Sequence, residues 1–269
     1  MNAEKVLDRI VCGCGDFFEP VVVIAAHPDD EVIGMGARLR RMRNAVLVYV
    51  TEGAPKNYDY ALSAGYPSRQ AYSRARMREA GESLELAHLS KECCISMGFV
   101  DQDLSFNLVS LVSRIKEVLD VVKPLAVFSH SYEGGHPDHD SVSFAVSCCL
   151  KKSCGKPPFH FEFTSYHNNN GEMLTGKFLK GRSGAFRRYV LNREEVERKE
   201  RMKECFLSQK DVLERFGTEC EEYREAPSYH FSRPPHAGPL FYEMFDWGVT
   251  GRQWRALADD AGRLLKLKG

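Results

Sequence analysis

The chain has 269 residues and balances 37 acidic against 37 basic side chains, so nothing in its charge favours nucleic acid or an anionic membrane surface. A hydrophobic share of 43% suits one large α/β core, and no run approaches the ~18 apolar residues of a membrane span. Nine cysteines without a CxxC pair exclude a zinc ribbon and read as reduced, mostly buried thiols. The opening MNAEKVLDRI has acids and no long apolar stretch, so it does not read as a signal peptide, and the expected compartment is the cytoplasm.

Residues 1–20 read as a short helix carrying Val6, Leu7, Ile10 and Val11, then a turn rich in Gly and Cys. That CGCG turn precedes the first strand, whereas a dinucleotide fingerprint must follow it. Gly34-Met-Gly36 does follow, but Leu39 stands where the third glycine belongs, which disfavours a nicotinamide enzyme. Between the two lies Val21–Glu31, VVVIAAHPDDE, an apolar run that suits a strand buried on both faces and ends in a polar cluster. A helix is expected over 32–43, so the cluster falls at the carboxyl edge of a sheet, where open α/β folds bind ligands. His27 and Asp30 sit three apart and can aim at one point, and both are ordinary ligands for zinc or another divalent ion. Asp29 can point elsewhere and act as a base. The bland alternative is that these acids only cap the helix.

Ala45–Val50 reads as a second strand, with Glu52 at its end as a pocket candidate. Residues 54–70 are polar and aromatic, an expected functional loop with Tyr58, Tyr60 and Tyr66. A helix over 68–89 carries Arg74 and Arg76, either of which could meet substrate hydroxyls or a phosphate. Cys93–Met97 is a third strand, followed by a helix over 104–122 with core spacing. Leu125–Ser129 is a fourth strand, and HSYEGGHPDHD follows it with His136 and His139 again three apart. If the two strand ends converge, they supply three ligands and leave a position open for water, the catalytic rather than the closed structural pattern.

Beyond the second motif, a helix is expected over 141–150, a strand over 159–166 ending near His167, and a tight turn at Asn170-Gly171. Arg187–Leu191 reads as a returning strand and Arg193–Gln209 as a charged helix. Four prolines, His230 and His236 fall in residues 226–239, which could fold over the pocket as a lid. An amphipathic helix around Trp254 closes the chain. Strands alternating with helices imply an α/β fold, a Rossmann-like doubly wound, mostly parallel sheet with helices on both faces, in a single domain over 1–269.

The pair AHPDDE and GGHPDHD resembles the LmbE-like, or PIG-L, zinc-dependent N-deacetylases, which remove acetyl groups from N-acetylglucosaminyl substrates. The resemblance implies that His27, Asp30 and His139 bind Zn2+, although a His₂Asp set also accepts Fe2+ or Co2+. It makes Asp29 the general base, His136 the group that stabilises the carbonyl charge or protonates the amine, and Asp138 the partner that tunes His136. Some members carry a tyrosine two residues before the first histidine of the second motif. This chain has Gly134 there, and Tyr132 is the nearest candidate to replace it. Tyr132, Glu52, Arg74 and Arg76 are thus the substrate-side candidates. The implied function is metal-dependent hydrolysis that removes acetyl from a small N-acetylglucosamine-type glycoside, with no nucleic-acid or membrane partner. The alternatives are an amidase that cleaves a larger N-acyl group and a metal-binding, non-catalytic member. A nucleoside deaminase is excluded, because HxE and PCxxC are both missing.

Overall fold

The structure, a computed structural model, describes residues 2–152, 155–179 and 184–266. Helix α1 (Ala3–Val11) leads into strand β1 (Val21–Ala25) and helix α2 (Asp30–Leu39). Strand β2 (Ala45–Pro55), helices α3 (Tyr58–Ser63) and α4 (Arg69–Leu86), strand β3 (Cys94–Asp101) and helix α5 (Leu108–Val122) follow. Strand β4 (Ala126–His130) and helix α6 (Pro137–Lys151) carry the second motif. The rest comprises β5 (Phe159–Phe163), the β6 (Tyr166–Asn169) and β7 (Glu172–Thr175) hairpin, β8 (Phe186–Val190), α7 (Arg193–Glu204), α8 (Lys210–Leu213), β9 (Cys220–Glu225) and α9 (Gly251–Leu264).

Seven strands form one sheet in the order β3-β2-β1-β4-β5-β9-β8. The first five neighbours pair in parallel, and β9 runs antiparallel to both β5 and β8. Burial on both faces explains why β1 is apolar throughout instead of alternating. Val21, Val23 and Ala25 pack with α1, α2, α4 and α7 on one side, while Val22 and Ile24 pack with α5, α6 and α9 on the other. The expected doubly wound, mostly parallel sheet is therefore the observed one. Chain order reverses between β1 and β4, the strands that precede the two motifs.

Several elements differ from the sequence reading. Helix α6 starts at Pro137 and not at Ser141, because Pro is favoured at the first helical turn and the His136 side chain caps the helix. The expected loop over 54–70 contains α3, and the charged helix ends at Glu204 instead of Gln209. Strand β9 was hidden by its polar sequence, CEEYRE. Its charges are buried in pairs, with Glu221 2.7 Å from Lys199 and Arg224 2.7 Å from Glu162. The Asn170-Gly171 turn is present, and both residues take positive φ (56° and 93°) as a two-residue hairpin loop demands. Eight cysteines are free, four of them partly buried and only Cys148 and Cys149 fully so; Cys154 lies outside the described residues. Among the described residues no helix is long and apolar enough to cross a membrane.

Beside the motif strand, His160 on β5 accepts or donates across 2.7 Å to Ser129 on β4. Burial pushes its pKa down from 6.5 to about 4. As pH falls, the unfolded chain takes the proton first, so this histidine's stabilising share is complete above about 6.5 and is lost toward about 4. Urea midpoints measured between those limits should fall on acidification, and less steeply in His160→Gln, whose amide keeps a partner for Ser129. An equally steep fall in the variant would assign the acid sensitivity to other groups.

Candidate active site

The carboxyl ends of β1 and β4 open into a cavity of about 500 Å³. Chain reversal leaves this crevice uncovered by a crossover helix, which is why ligands collect at such edges. After β1 the backbone turns sharply at Asp29, whose φ of 135° is rare for any residue but glycine. Strain of that kind stores ~1–3 kcal/mol and persists only where neighbours hold it. Two neighbours do. Glu31 accepts the Asp29 N–H at 3.1 Å, and Arg76 on α4 donates to the Asp29 carboxylate at 2.9 Å and to the Pro28 carbonyl at 2.8 Å. The same guanidinium reaches the Gly53 carbonyl at 2.8 Å. At Gly53 a Cβ would come within 2.9 Å of Pro28 and 3.0 Å of Arg76, so only glycine lets β2 pass here.

Asp30 opens α2 and forms the hub. One carboxylate oxygen lies 3.2 Å from His139 Nε2, and the other lies 3.2 Å from both His27 Nδ1 and His130 Nε2. The second motif reaches it from the opposite strand end. His130 closes β4, and the loop that follows is tied down where Asp140 accepts the N–H groups of Glu133 (3.2 Å) and Gly134 (3.0 Å). A Cβ at Gly135 would sit 2.0 Å from the Tyr166 carbonyl, so the loop passes β6 only because that residue is glycine. His139 then lies on the first turn of α6, its ring stacked on His130 at 3.9 Å.

Four buried carboxyl groups (Asp29, Asp30, Asp101 and Asp138) surround these histidines, with Arg76 the buried cation among them. His27 sits between three of the acids, 3.0 Å from Asp101 and 3.3 Å from Asp138 at Nε2. Burial works against a charge on His27, yet Asp101 and its neighbours raise its pKa well above 6.5. Asp101 is destabilised by burial but is drawn down to about 2 by His27. Burial lifts Asp29 to about 7 against the pull of Arg76. It also depresses His139, to about 4, and His136. Four buried acids against one buried guanidinium leave an excess of negative charge that suits a divalent cation, and burial favours the neutral, ligating form of His139. Three overlapping groups have their ligand atoms within 4.8 Å of one another: His27/His136/His139, Asp30/His130/His139 and His27/Asp101/Asp138.

His136 accepts the Asp138 N–H at Nδ1 (3.1 Å), which assigns its proton to Nε2. Its ring lies 4.6 Å from Trp247 on the cavity wall. The Asp138 carboxylate, expected to tune His136, turns away from it. It accepts the N–H groups of Gln102 (2.7 Å) and Leu104 (3.1 Å) and faces His27, so it links α6 to the end of β3.

The other expected residues divide. Arg76 lines the cavity, but Arg74 is exposed and off it, because residues two apart on a helix point to different sides. Glu52 stays away from the cavity, bound to Arg69 and to Ser73 (3.1 Å), where it anchors the start of α4. Tyr132 is buried against Trp254 and Phe231 and donates to the Arg233 carbonyl at 2.9 Å, so it does not take the place of a pocket tyrosine. His167 is buried 3.6 Å from Glu133, and neither it nor residues 226–239 line the cavity.

Four contributors escaped the sequence reading. Asp101 and His130 lie outside the two His-Pro-Asp signatures, although each ends a strand beside a motif. Tyr166 presents its edge to His139 at 5.4 Å, and Trp247 donates to the Tyr60 hydroxyl at 3.1 Å. Only tertiary folding brings these last two to the site.

Residues 22–150 match the family model described as GlcNAc-PI de-N-acetylase, PIG-L. No curated protein sequence matches the chain. Among solved structures, a deacetylase of the teicoplanin biosynthesis pathway superposes with a TM-score of 0.59 at 18% identity, covering 76% of this chain and 96% of its own. The N,N'-diacetylchitobiose deacetylase of Pyrococcus horikoshii gives 0.56 at 18% identity over 78% and 84%. A 4-carboxy-2-hydroxymuconate hydratase from Pseudomonas putida gives 0.50 at 16% over 79% and 98%, so the same fold also carries other chemistry. Residues 22–150 thus match a PIG-L, LmbE-like family domain, and the chain shares the fold of the deacetylase structures.

Proposed function

We propose that the protein is a metal-dependent N-deacetylase acting on a small N-acetylglucosamine-type glycoside, with His27, Asp30 and His139 as ligands of a zinc ion. The observation that carries this reading is the Asp30 carboxylate, held between His27 and His139 at 3.2 Å while Asp29 faces the same cavity on Arg76. The hydratase on the same fold makes the fold alone an insufficient argument, so the reading rests on these residues and the family match.

When bound, such an ion supplies Lewis acidity and lowers the pKa of a water to roughly 7. Asp29, with its own pKa pushed by burial to about 7, faces the cavity where it would take a proton from the water that attacks the acetamide carbon. Arg76 positions Asp29 and keeps it from rising further. Neutral His136 offers its Nε2–H to the carbonyl oxygen as negative charge develops there, a contribution commonly worth ~3–4 kcal/mol for one preorganised donor. Return of the proton from Asp29 to the departing nitrogen lets the C–N bond break, yielding the amine and acetic acid, whose remaining proton passes to the amine to leave acetate and the ammonium form. The aromatic walls, Tyr60, Tyr72, Tyr166 and Trp247, suit the faces of a sugar ring better than a peptide backbone. A second reading, cleavage of a longer N-acyl chain, draws on Leu207, which lines the cavity and is 77% exposed.

Purified protein should contain about one equivalent of divalent metal, with zinc expected, and His139→Ala should lose most of it. Full occupancy in that variant would remove His139 from the ligand set. Asp29→Asn should lower turnover by ~10²–10⁴ with metal content unchanged; metal loss in Asp29→Asn but not in Asp30→Asn would exchange the two roles. Acetate release should be faster from an N-acetylglucosaminide than from N-acetyl amino acids at equal concentration. Faster release from the amino acids would exclude the sugar, whereas preference for a longer N-acyl glycoside would favour the second reading.

A further inference from the structure

A second cleft, of about 330 Å³, lies at the far end of α2 from Asp30, beyond a kink at Met35. Four arginines line it, Arg38, Arg40, Arg41 and Arg198, against two acids, Glu194 and Glu195. Their hydrogen bonds are unevenly distributed. Arg41 has each of its three nitrogens engaged, donating to the carbonyls of Gly15 (2.7 Å), Ile10 (2.6 Å) and Arg9 (3.3 Å). Arg38 donates to Glu195 (2.8 Å) and the Gly13 carbonyl (3.0 Å), yet its buried Nε has no partner. Arg198 reaches Glu194 at 3.4 Å and the Ala37 carbonyl at 3.3 Å, and its Nε is likewise buried without a partner.

Arg40 and Arg198 share a single oxygen, Glu194 Oε1, at 3.0 and 3.4 Å. The Glu194 side chain is 74% exposed, so it can leave for solvent without losing a packed position. Like charges crowd here. Burial first, then Arg38 and Arg40, depress the pKa values of Arg41 and Arg198 respectively. One monodentate carboxylate oxygen is a poor match for two planar guanidinium forks, whereas a tetrahedral oxyanion offers several acceptors at once.

We propose that this cleft binds a phosphate-type oxyanion, free or carried on a small organic ester, which takes the place of Glu194 between Arg40 and Arg198. The site is separate from the catalytic cavity and does not depend on what that cavity hydrolyses. Bound anion would tie α2, which begins with Asp30, to the start of α7, and so would raise the stability of the region that supports the first motif.

Thermal unfolding of the full-length, metal-loaded protein tests this with millimolar inorganic phosphate, and separately with glycerol 3-phosphate, against sodium chloride of equal ionic strength. Phosphate should raise the Tm by about 2–4 °C in the wild type and equally in His139→Ala. Arg40→Glu, at a partly exposed position, should lose the rise while keeping basal acetate release. Glu194→Gln, which removes the competing carboxylate, should show a larger rise than the wild type. A larger rise with glycerol 3-phosphate assigns the site to esters, and a larger rise with inorganic phosphate assigns it to the free ion. The proposal is overturned by no rise in the wild type, by an equal rise with chloride, or by an undiminished rise in Arg40→Glu. It is also overturned if the rise disappears in His139→Ala, which would place the anion in the catalytic cavity.

Discussion

Burying several carboxylates beside several imidazoles is the constraint on which the rest of this structure depends. An isolated carboxylate taken out of water loses many kcal/mol of solvation, so it must be paired, protonated or bound to metal. Each acid here has a different solution. Asp30 is surrounded by His27, His130 and His139, Asp101 by His27, Asp138 by two backbone N–H groups, and Asp29 by Arg76. None of these partners is close to its acid in sequence except His27 to Asp30, so the cluster exists only when β1, β3, β4 and α4 are all in place.

That requirement explains how much of the scaffold is organised around two loops. Arg76 joins α4 to the ends of β1 and β2 through three acceptors, and Gly53 makes room for it. Asp138 stitches α6 to the end of β3. Trp254 donates to Ser141 (3.0 Å) and the Pro137 carbonyl (3.2 Å), so α9 clamps the first turn of α6, from which His139 projects. Below the second loop, Glu133, Glu162, Arg224 and Tyr229 form a buried network that ties it to β5 and β9. Polar networks of this kind fix position while contributing little or no net stability, because each member must be desolvated.

The same logic separates a positioning role from a chemical one. The sequence offers Arg76 as a substrate contact, but both of its terminal nitrogens are engaged by Asp29, Pro28 and Gly53, so its effect on the cavity passes through Asp29. Glu52 and Tyr132 were also read as pocket residues, and both are structural: one secures α4, the other fills an aromatic core under residues 229–233. A polar or aromatic side chain near a motif in sequence therefore says little about where it points.

Local sequence determined what depends on short-range chemistry. The apolar run of β1 can be buried only on both sheet faces, His27 and Asp30 are three residues apart on one turn, and Asn170-Gly171 accommodates positive φ. From these the parallel sheet, the placement of both motifs at its carboxyl edge and the hairpin could be read directly. Tertiary structure alone decided which distant groups converge there. Asp101 and His130 are ordinary strand-end residues until the order β3-β2-β1-β4 puts them beside His27 and Asp30, and Tyr166 and Trp247 reach the cavity from elements with no signature. Strand β9 was invisible for the same reason. Its charges are buried because Lys199 and Glu162 pair with them, and charge pairing across the fold leaves no trace in local periodicity.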